Sequence, residues 1–385
     1  MSRLKELLSL WAHVLCAWLT GFFPRRRNRI VFCNYNGRGY GDNLSPIADE
    51  VIRRGHNWDL VWLVKDESVD LPRFVRKVKR GWLREKACLA SARVVISNTK
   101  GSLIYRKHPG SVYLQTWHGG DLPTKFVEGG CGLELSRYYV MMSKRDSKIT
   151  DYVLSGSVRL TEIFLTEFWY PKTCQVLEWG TPRKDIYFKK SGADKAKIRE
   201  EIFGRGDVKV ALYAPTFREY ISNECCKFDF EFFRRALEKK FGGSWVVVIR
   251  LHPNVANLAN RFPYDEKIIN GTGMEDGQLL CLVSDLLVTD YSSIMEDFVV
   301  QRKPIILFTP DIDDYLSHER KLRDFYLNLP FARCRTEEEL MDAVSRLDVG
   351  EYLKLVSDFA ENGCKMVDDG HASERVVDLI EKLMA

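Results

Sequence analysis

Short apolar runs alternate with amphipathic helical stretches twice along this chain, and that alternation predicts parallel sheets covered on both faces. In the first series Ile30–Cys33, Leu60–Val64, Val94–Asn98 and Ser111–Thr116 read as strands, with a helix carrying Ile47, Val51 and Ile52 and another ending at Ala92. The second series follows Gly180-Thr181-Pro182-Arg183. Its strands read as Val208–Tyr213, Trp245–Leu251, Lys267–Ile269, Leu286–Val288 and Pro304–Phe308, its helices lie near 228–241, 277–283 and 292–299, and a helix over 373–384 closes the chain. The expected fold class is α/β, with two doubly wound Rossmann-like domains at 25–190 and 191–385 facing a cleft at their strand ends. A length of 385 residues suits two such domains, and 45% hydrophobic with 29% charged residues is a globular composition, not a disordered one.

Ahead of both domains, Leu4, Leu7, Leu8, Trp11, Leu15, Trp18 and Phe22 recur at helical spacing, so residues 1–24 are expected to form an amphipathic helix ended by Pro24. Arg25, Arg26, Arg27 and Arg29 follow at once. A cleaved signal peptide fits poorly, because the charges stand where a small-residue cleavage site belongs. Ser9, His13 and Thr20 interrupt a run already short for spanning a bilayer. A helix in the membrane interface fits best, with tryptophans at headgroup level and arginines drawn to anionic lipid, so residues 1–29 are expected to meet a membrane surface. The alternative is a helix packed on its own domain.

The net charge of +5 suits an anionic substrate or a membrane surface without requiring either. Ten cysteines at irregular spacing form no metal-type pair of CxxC units, and Cys16, Cys33, Cys88 and Cys281 lie in apolar runs, which points to reduced thiols in a cytoplasmic protein. Gly37, Gly39 and Gly41 depart from the GxGxxG spacing, which argues against a dinucleotide site; the stretch reads as a tight turn bringing backbone near the cleft.

Chemistry gathers where strands end. Gln115-Thr116-Trp117-His118-Gly119-Gly120-Asp121-Leu122 places an imidazole beside glycines that let a substrate approach, which makes His118 a general-base candidate, with Asp121 able to orient it and raise its pKa if it points inward. In the second series three strand ends carry Thr216 with Arg218, Arg250 with His252, and Asp290 with Ser292 and Ser293. Asp290 or Ser292 alone would read as a helix cap. Together these groups form a cup of cations, a histidine and a helix start that suits a pyrophosphate.

As a set, Gln-Thr-Trp-His-Gly (115–119), Tyr-Ala-Pro-Thr-Phe-Arg (213–218), Arg-Leu-His-Pro (250–253), Thr-Asp-Tyr-Ser-Ser (289–293) and Asp-Gly-His-Ala-Ser-Glu-Arg-Val (369–376) resemble the CDP-glycerol glycerophosphotransferase family of teichoic acid synthesis. Gly-Thr-Pro-Arg-Lys-Asp (180–185) is similar to that family's linker. The resemblance implies a glycosyltransferase-B type fold with no metal and no cofactor, with the acceptor on the N-terminal half and a CDP-alditol on the C-terminal half. It implies His118 as base, His252 at the donor phosphates, Arg218, Arg250, Ser292 and Ser293 around them, and Asp297 near the glycerol; Gly119, Asp121, Thr216, Asp290, Ser373 and Arg375 complete the expected substrate-binding set. Departures stand at Gly120-Asp121-Leu122-Pro123-Thr124, at His371 and at Arg323-Asp324-Phe325-Tyr326, and the first adjoins the base, leaving acceptor and alditol open.

The expected reaction moves glycerol phosphate from CDP-glycerol to a hydroxyl of a lipid-linked or glycan acceptor, releasing CMP, at the cytoplasmic face of the cell membrane and without nucleic acid. A CDP-ribitol-dependent transferase and a nucleotide-sugar glycosyltransferase are the enzyme alternatives. A degenerate nucleotide-binding membrane scaffold is the non-enzyme one. Primase, polymerase and capping roles all stay open.

Overall fold

The structure, a computed structural model, describes residues 3–81, 83–120, 122, 128, 135–219, 227–274, 276–319 and 321–385. The chain divides into two compact units: Met1–Gly119 with Glu134–Asp185 and Val367–Ala385, and Gly120–Leu133 with Ile186–Met366.

The first unit holds a parallel sheet of β1 (Arg29–Cys33), β2 (Asp59–Val64), β3 (Val75–Lys79), β4 (Val94–Ser97), β5 (Val112–Gln115), β6 (Tyr152–Leu154) and β7 (Gln175–Leu177), in the order β3-β2-β1-β4-β5-β6-β7. Side chains alternate across a strand, so a central strand needs apolar residues at every position. β1 meets that need: Ile30 and Phe32 enter one core with Ile47, Ala48 and Val51, while Val31 and Cys33 enter the opposite one with Leu89, Val95 and Tyr113. The sequence pattern finds β1, β2, β4 and β5 but passes over β3, β6 and β7. β3 reads Val-Arg-Lys-Val-Lys at a sheet edge, where charge guards an exposed strand, and β6 and β7 have three residues each.

Three helices of this unit matter first: α1 (Arg3–Thr20), α2 (Leu44–Arg53) and α3 (Leu83–Ser91), of which α1 packs against α3. Ala17 is buried against Ile104 and Met142, and Thr20 is buried too. Trp11, Leu15, Trp18 and Phe22 remain exposed, at 69%, 57%, 54% and 65%. No helix among the described residues is long and apolar enough to cross a membrane.

The second unit repeats the design with β8 (Lys209–Ala214), β9 (Trp245–Ile249), β10 (Ile268–Asn270), β11 (Leu286–Thr289), β12 (Ile305–Phe308) and β13 (Ala332–Cys334), all parallel, ordered β10-β9-β8-β11-β12-β13. Val210 and Leu212 face one core, Ala211 and Tyr213 the other. In each unit the order reverses beside the first strand, at β1/β4 and at β8/β11, and the carboxyl ends of those strands are where ligands of such sheets bind.

One boundary differs from the sequence partition. Residues 367–385, assigned there to the second domain, belong to the first unit. The closing helix, Ala372–Met384, sends Val376, Val377 and Ile380 into the core of Ile30 and Phe32, and Arg54 donates to Asp378 at 2.6 Å and to Glu381 at 3.0 Å. Its apolar face needs a partner, and sequence order does not say which sheet supplies it.

Candidate active site

In the first unit, His118 follows β5 by way of Trp117, whose φ of 54° is left-handed and costly for a bulky residue. The Trp117 amide donates to the Gln115 side chain at 3.0 Å, which holds that turn. A Cβ added at Gly119 would come within 2.9 Å of the indole nitrogen, so the chain passes the indole too closely for any side chain there.

The His118 ring is half-buried, and its Nδ1 bonds the backbone carbonyl of Asn98, after β4. A carbonyl only accepts, so Nδ1 carries the proton and Nε2 is the basic nitrogen. Burial holds the imidazole below its ordinary pKa; the Asn98 carbonyl and Asp42 oppose that effect, and Arg183 adds to it. Asp121, expected to orient this ring and raise its pKa, lies outside the described residues.

Sequence reading passed over the groups that surround this histidine. Asp42, in the turn after β1, accepts from Asn98 Nδ2 at 3.1 Å, from the Tyr35 hydroxyl at 2.9 Å and from Arg183 Nη1 at 3.0 Å. Arg183 Nη1 also donates to the His118 carbonyl at 2.8 Å. Asn43 accepts from the Arg183 amide at 3.2 Å and donates to the Trp117 carbonyl at 2.9 Å. The available signal was polarity: Asn34, Asp42, Asn43 and Asn98 stand just past two otherwise apolar strands, at the reversal point of the sheet order.

In the second unit, the residues expected to form a pyrophosphate cup separate into scaffold and open groups. Arg218 is scaffold. Its side chain is fully buried; Nε and Nη2 donate to Asp311 at 2.7 and 3.1 Å, and Nη1 donates to Asp290 at 2.8 Å and to the Thr216 carbonyl. The guanidinium lies 5.0 and 5.3 Å from the rings of Tyr291 and Tyr315. Asp290 is 1% exposed and accepts from the amides of Thr216 at 2.8 Å and Tyr291 at 2.5 Å, which ties the end of β8 to the end of β11. Arg218 and Asp290 therefore brace the ends of β8 and β11 against each other. Asp297 is likewise 2% exposed and accepts from the Tyr187 hydroxyl at 2.9 Å.

Arg250 is half-buried and Nη1 donates to the carbonyls of Gly271 and Met274 at 2.9 and 2.6 Å, fixing the loop after β10. Burial lowers its pKa from the ordinary guanidinium value. His252 is exposed, and its Nδ1 accepts from the Asn254 amide at 3.2 Å, so Nε2 carries the proton in the neutral ring. Its ring stacks obliquely on Phe217, centroids 4.6 Å apart. The Thr216 hydroxyl is buried without a partner among the described residues, as an orphan a ligand can satisfy.

The helix expected to begin at Ser292 begins at Met295 and runs to Val300. Ser292 and Ser293 are half-buried in the turn before it; Ser292 Oγ accepts from the Ile294 amide at 3.4 Å. A hydroxyl that bonds the backbone two residues on favours a turn over a helix, which explains the later start. Gly120 belongs here as well, for a Cβ on it would collide with the Glu296 carboxylate.

Ser373 and Arg375 sit in the first unit. The Ser373 amide donates to Asp185 at 2.9 Å, its hydroxyl bonds the same carboxylate, and the Ala372 amide donates to it at 3.0 Å. Asp185 thus caps the closing helix. Arg375 pairs with Asp369 and donates to the Trp179 carbonyl at 3.0 Å. Both side chains thus clamp the start of the closing helix within the first unit. Among the described residues no group of three or more His, Cys, Asp or Glu side chains is arranged to hold a metal ion.

Residues 17–382 match the family model of CDP-glycerol:poly(glycerophosphate) glycerophosphotransferases. The chain belongs to this family. A teichoic acid poly(glycerol phosphate) polymerase of Staphylococcus epidermidis is 29% identical over 371 residues, 92% of this chain and 50% of that one. One from Bacillus spizizenii is 27% identical over 383 residues, 94% of this chain and 93% of that one. The chain thus spans half of the first relative and nearly all of the second. Among solved structures, the wall teichoic acid polymerase TagF superposes with a TM-score of 0.82 at 26% identity, covering 99% of this chain and 96% of that one. A variant of that polymerase has also been solved after soaking with CDPG.

Proposed function

We propose that this protein is a glycerophosphotransferase that moves glycerol phosphate from CDP-glycerol to an acceptor hydroxyl and releases CMP. The observation that carries the reading is the pair of histidines in complementary tautomers. His118 has its basic nitrogen at Nε2, and His252 has its proton at Nε2. One is set to accept a proton, the other to donate a hydrogen bond.

In the reaction, the acceptor oxygen attacks the β-phosphorus and forms a new P–O bond while the bond to the CMP oxygen breaks. The acceptor proton passes to His118 Nε2. Because burial keeps that imidazole neutral near pH 7, it can take the proton, and Asp42 then faces the imidazolium that results. Charge gathers on the departing CMP phosphate. The Nε2–H of His252 and the hydroxyls of Ser292, Ser293 and Thr216 are donors for it, and one preorganised donor of this kind contributes about 3 kcal/mol to the transition state. Phosphoryl transfer asks little more of a protein than such positioning and electrostatics.

The acceptor we propose is lipid-linked, reached from the cytoplasmic face. Support comes from α1, with its exposed Trp11, Leu15, Trp18 and Phe22 followed by Arg25, Arg26 and Arg27. Aromatic and aliphatic groups entering the headgroup region, flanked by arginines, suit an anionic bilayer surface.

The test is nucleotide release, CMP from CDP-glycerol, with CDP-ribitol (CMP released) and UDP-sugars (UDP released) run as rival donors. His118→Ala should lose about 100-fold or more in turnover with donor affinity nearly kept. CMP release by His118→Ala at the wild-type rate would remove the base and, with it, this mechanism.

A further inference from the structure

Asp42 and Arg183 form a buried ion pair, their side chains 6% and 7% exposed. A buried pair contributes little to net stability relative to apolar residues, so its presence asks for another reason. The reason lies in what the pair holds. The two oxygens of Asp42 serve different partners, since Oδ1 accepts from Asn98 Nδ2 while Oδ2 accepts from Arg183 and from the Tyr35 hydroxyl. Asn98 is the residue whose carbonyl takes the His118 Nδ1 proton, and its side chain is further fixed by Asn34 Oδ1 at 2.7 Å and by the Tyr35 amide at 2.7 Å. Arg183 grips the same histidine from behind, at its carbonyl. The Tyr35 ring meets the imidazole edge-on, centroids 5.2 Å apart.

We infer that Asp42 and Arg183 are positioning residues for His118, fixing its tautomer and orientation through the Asn98 carbonyl on one side and the His118 carbonyl on the other. Neither is hydrogen-bonded to an imidazole nitrogen, and neither takes part in the bond changes. The inference rests on the reading of His118 as base and deepens it. Asp42 has φ of 52°, so the turn holds it in the left-handed region in order to aim its carboxylate inward. Arg183 comes from the Thr-Pro-Arg stretch just before Asp185, where the first unit ends, so the exit segment of the unit is tied to the base.

The two charges act on His118 with opposite sign, which separates positioning of the base from mere support of the loop. Among the described residues, Asp42 and Arg183 are the charged groups that act on the ring, with the Tyr35 phenol a further titratable neighbour. Asp42→Asn removes the negative charge and leaves Arg183, so the imidazolium is disfavoured and the acid limb of the kcat/KM profile moves to lower pH. Arg183→Gln removes the positive charge and moves that limb to higher pH. Each displacement should be about half to one pH unit, with kcat lowered about 10- to 100-fold and KM for CDP-glycerol little changed. Arg183→Lys keeps the charge but loses the planar fork, so the limb should stay in place while kcat falls.

The experiment is a set of pH–rate profiles for these variants, together with histidine 15N NMR of the wild type, where His118→Ala assigns the resonance. An Nδ1-protonated His118 in the wild type and opposite limb displacements are expected. Displacement in one common direction, or none, overturns the inference, as does an Nε2-protonated His118. The wild-type tautomer and Arg183→Gln keep the test intact if Asp42→Asn does not fold. A fully active His118→Ala instead sinks the proposed function, whereas an inactive His118→Ala with unmoved limbs sinks only this inference.

Discussion

Replacing Arg218 by methionine distinguishes a phosphate ligand from a structural keystone. The Arg218 side chain is 0% exposed, and its partners Asp290 and Asp311 are 2% and 4% exposed. Methionine fills much of the volume but leaves two buried carboxylates confronting each other. Removing one partner of such a pair costs about 3–5 kcal/mol, a third or more of the stability of an ordinary domain. Urea unfolding of the full chain, with CDP-glycerol affinity measured by calorimetry, reads both stability and donor binding. Adding Asp290→Asn and Asp311→Asn to Arg218→Met should recover part of the loss by removing the stranded charges. Arg218→Met with wild-type stability and a tenfold weaker donor affinity would refute the keystone role and return Arg218 to the ligand.

Two further outcomes are expected. Asp185→Ala removes the acceptor for the Ala372 and Ser373 amides, so the closing helix should loosen by about 1–2 kcal/mol, seen as faster amide exchange over 372–380 with donor affinity intact; unchanged exchange would show that the cap is dispensable. Trp18→Ser with Phe22→Ser should cut co-sedimentation with vesicles containing anionic phospholipid several-fold while leaving CMP release from a soluble acceptor unchanged. Equal sedimentation of the variant and wild type would leave α1 without a membrane role.

Much of the strand framework was legible because a central strand must be apolar on both faces. Val94–Ser97 and Leu286–Thr289 announce themselves by composition. Edge strands carry no such requirement, which is why Val75–Lys79 and Ala332–Cys334 were silent. His118 and His252 were visible as imidazoles at strand ends, but their protonation states were not. Each depends on a backbone group, the Asn98 carbonyl and the Asn254 amide, whose direction is set by the fold.

The class of fold, the strand ends that matter and the residue types gathered there could all be read along the chain, because apolar alternation and polar breaks are local properties. Which charges are already engaged could not. Arg218, Asp290, Asp297, Ser373 and Arg375 read along the chain as ligand-binding groups, and only the fold shows that they also hold Asp311, Tyr187, Asp185 and Asp369. Conversely, Asp42 and Arg183 looked like parts of a turn and a linker, 141 positions apart, and acquire their meaning from meeting behind His118. Hydrogen bonding and charge pairing depend on distance in space, and spacing in sequence does not fix that distance.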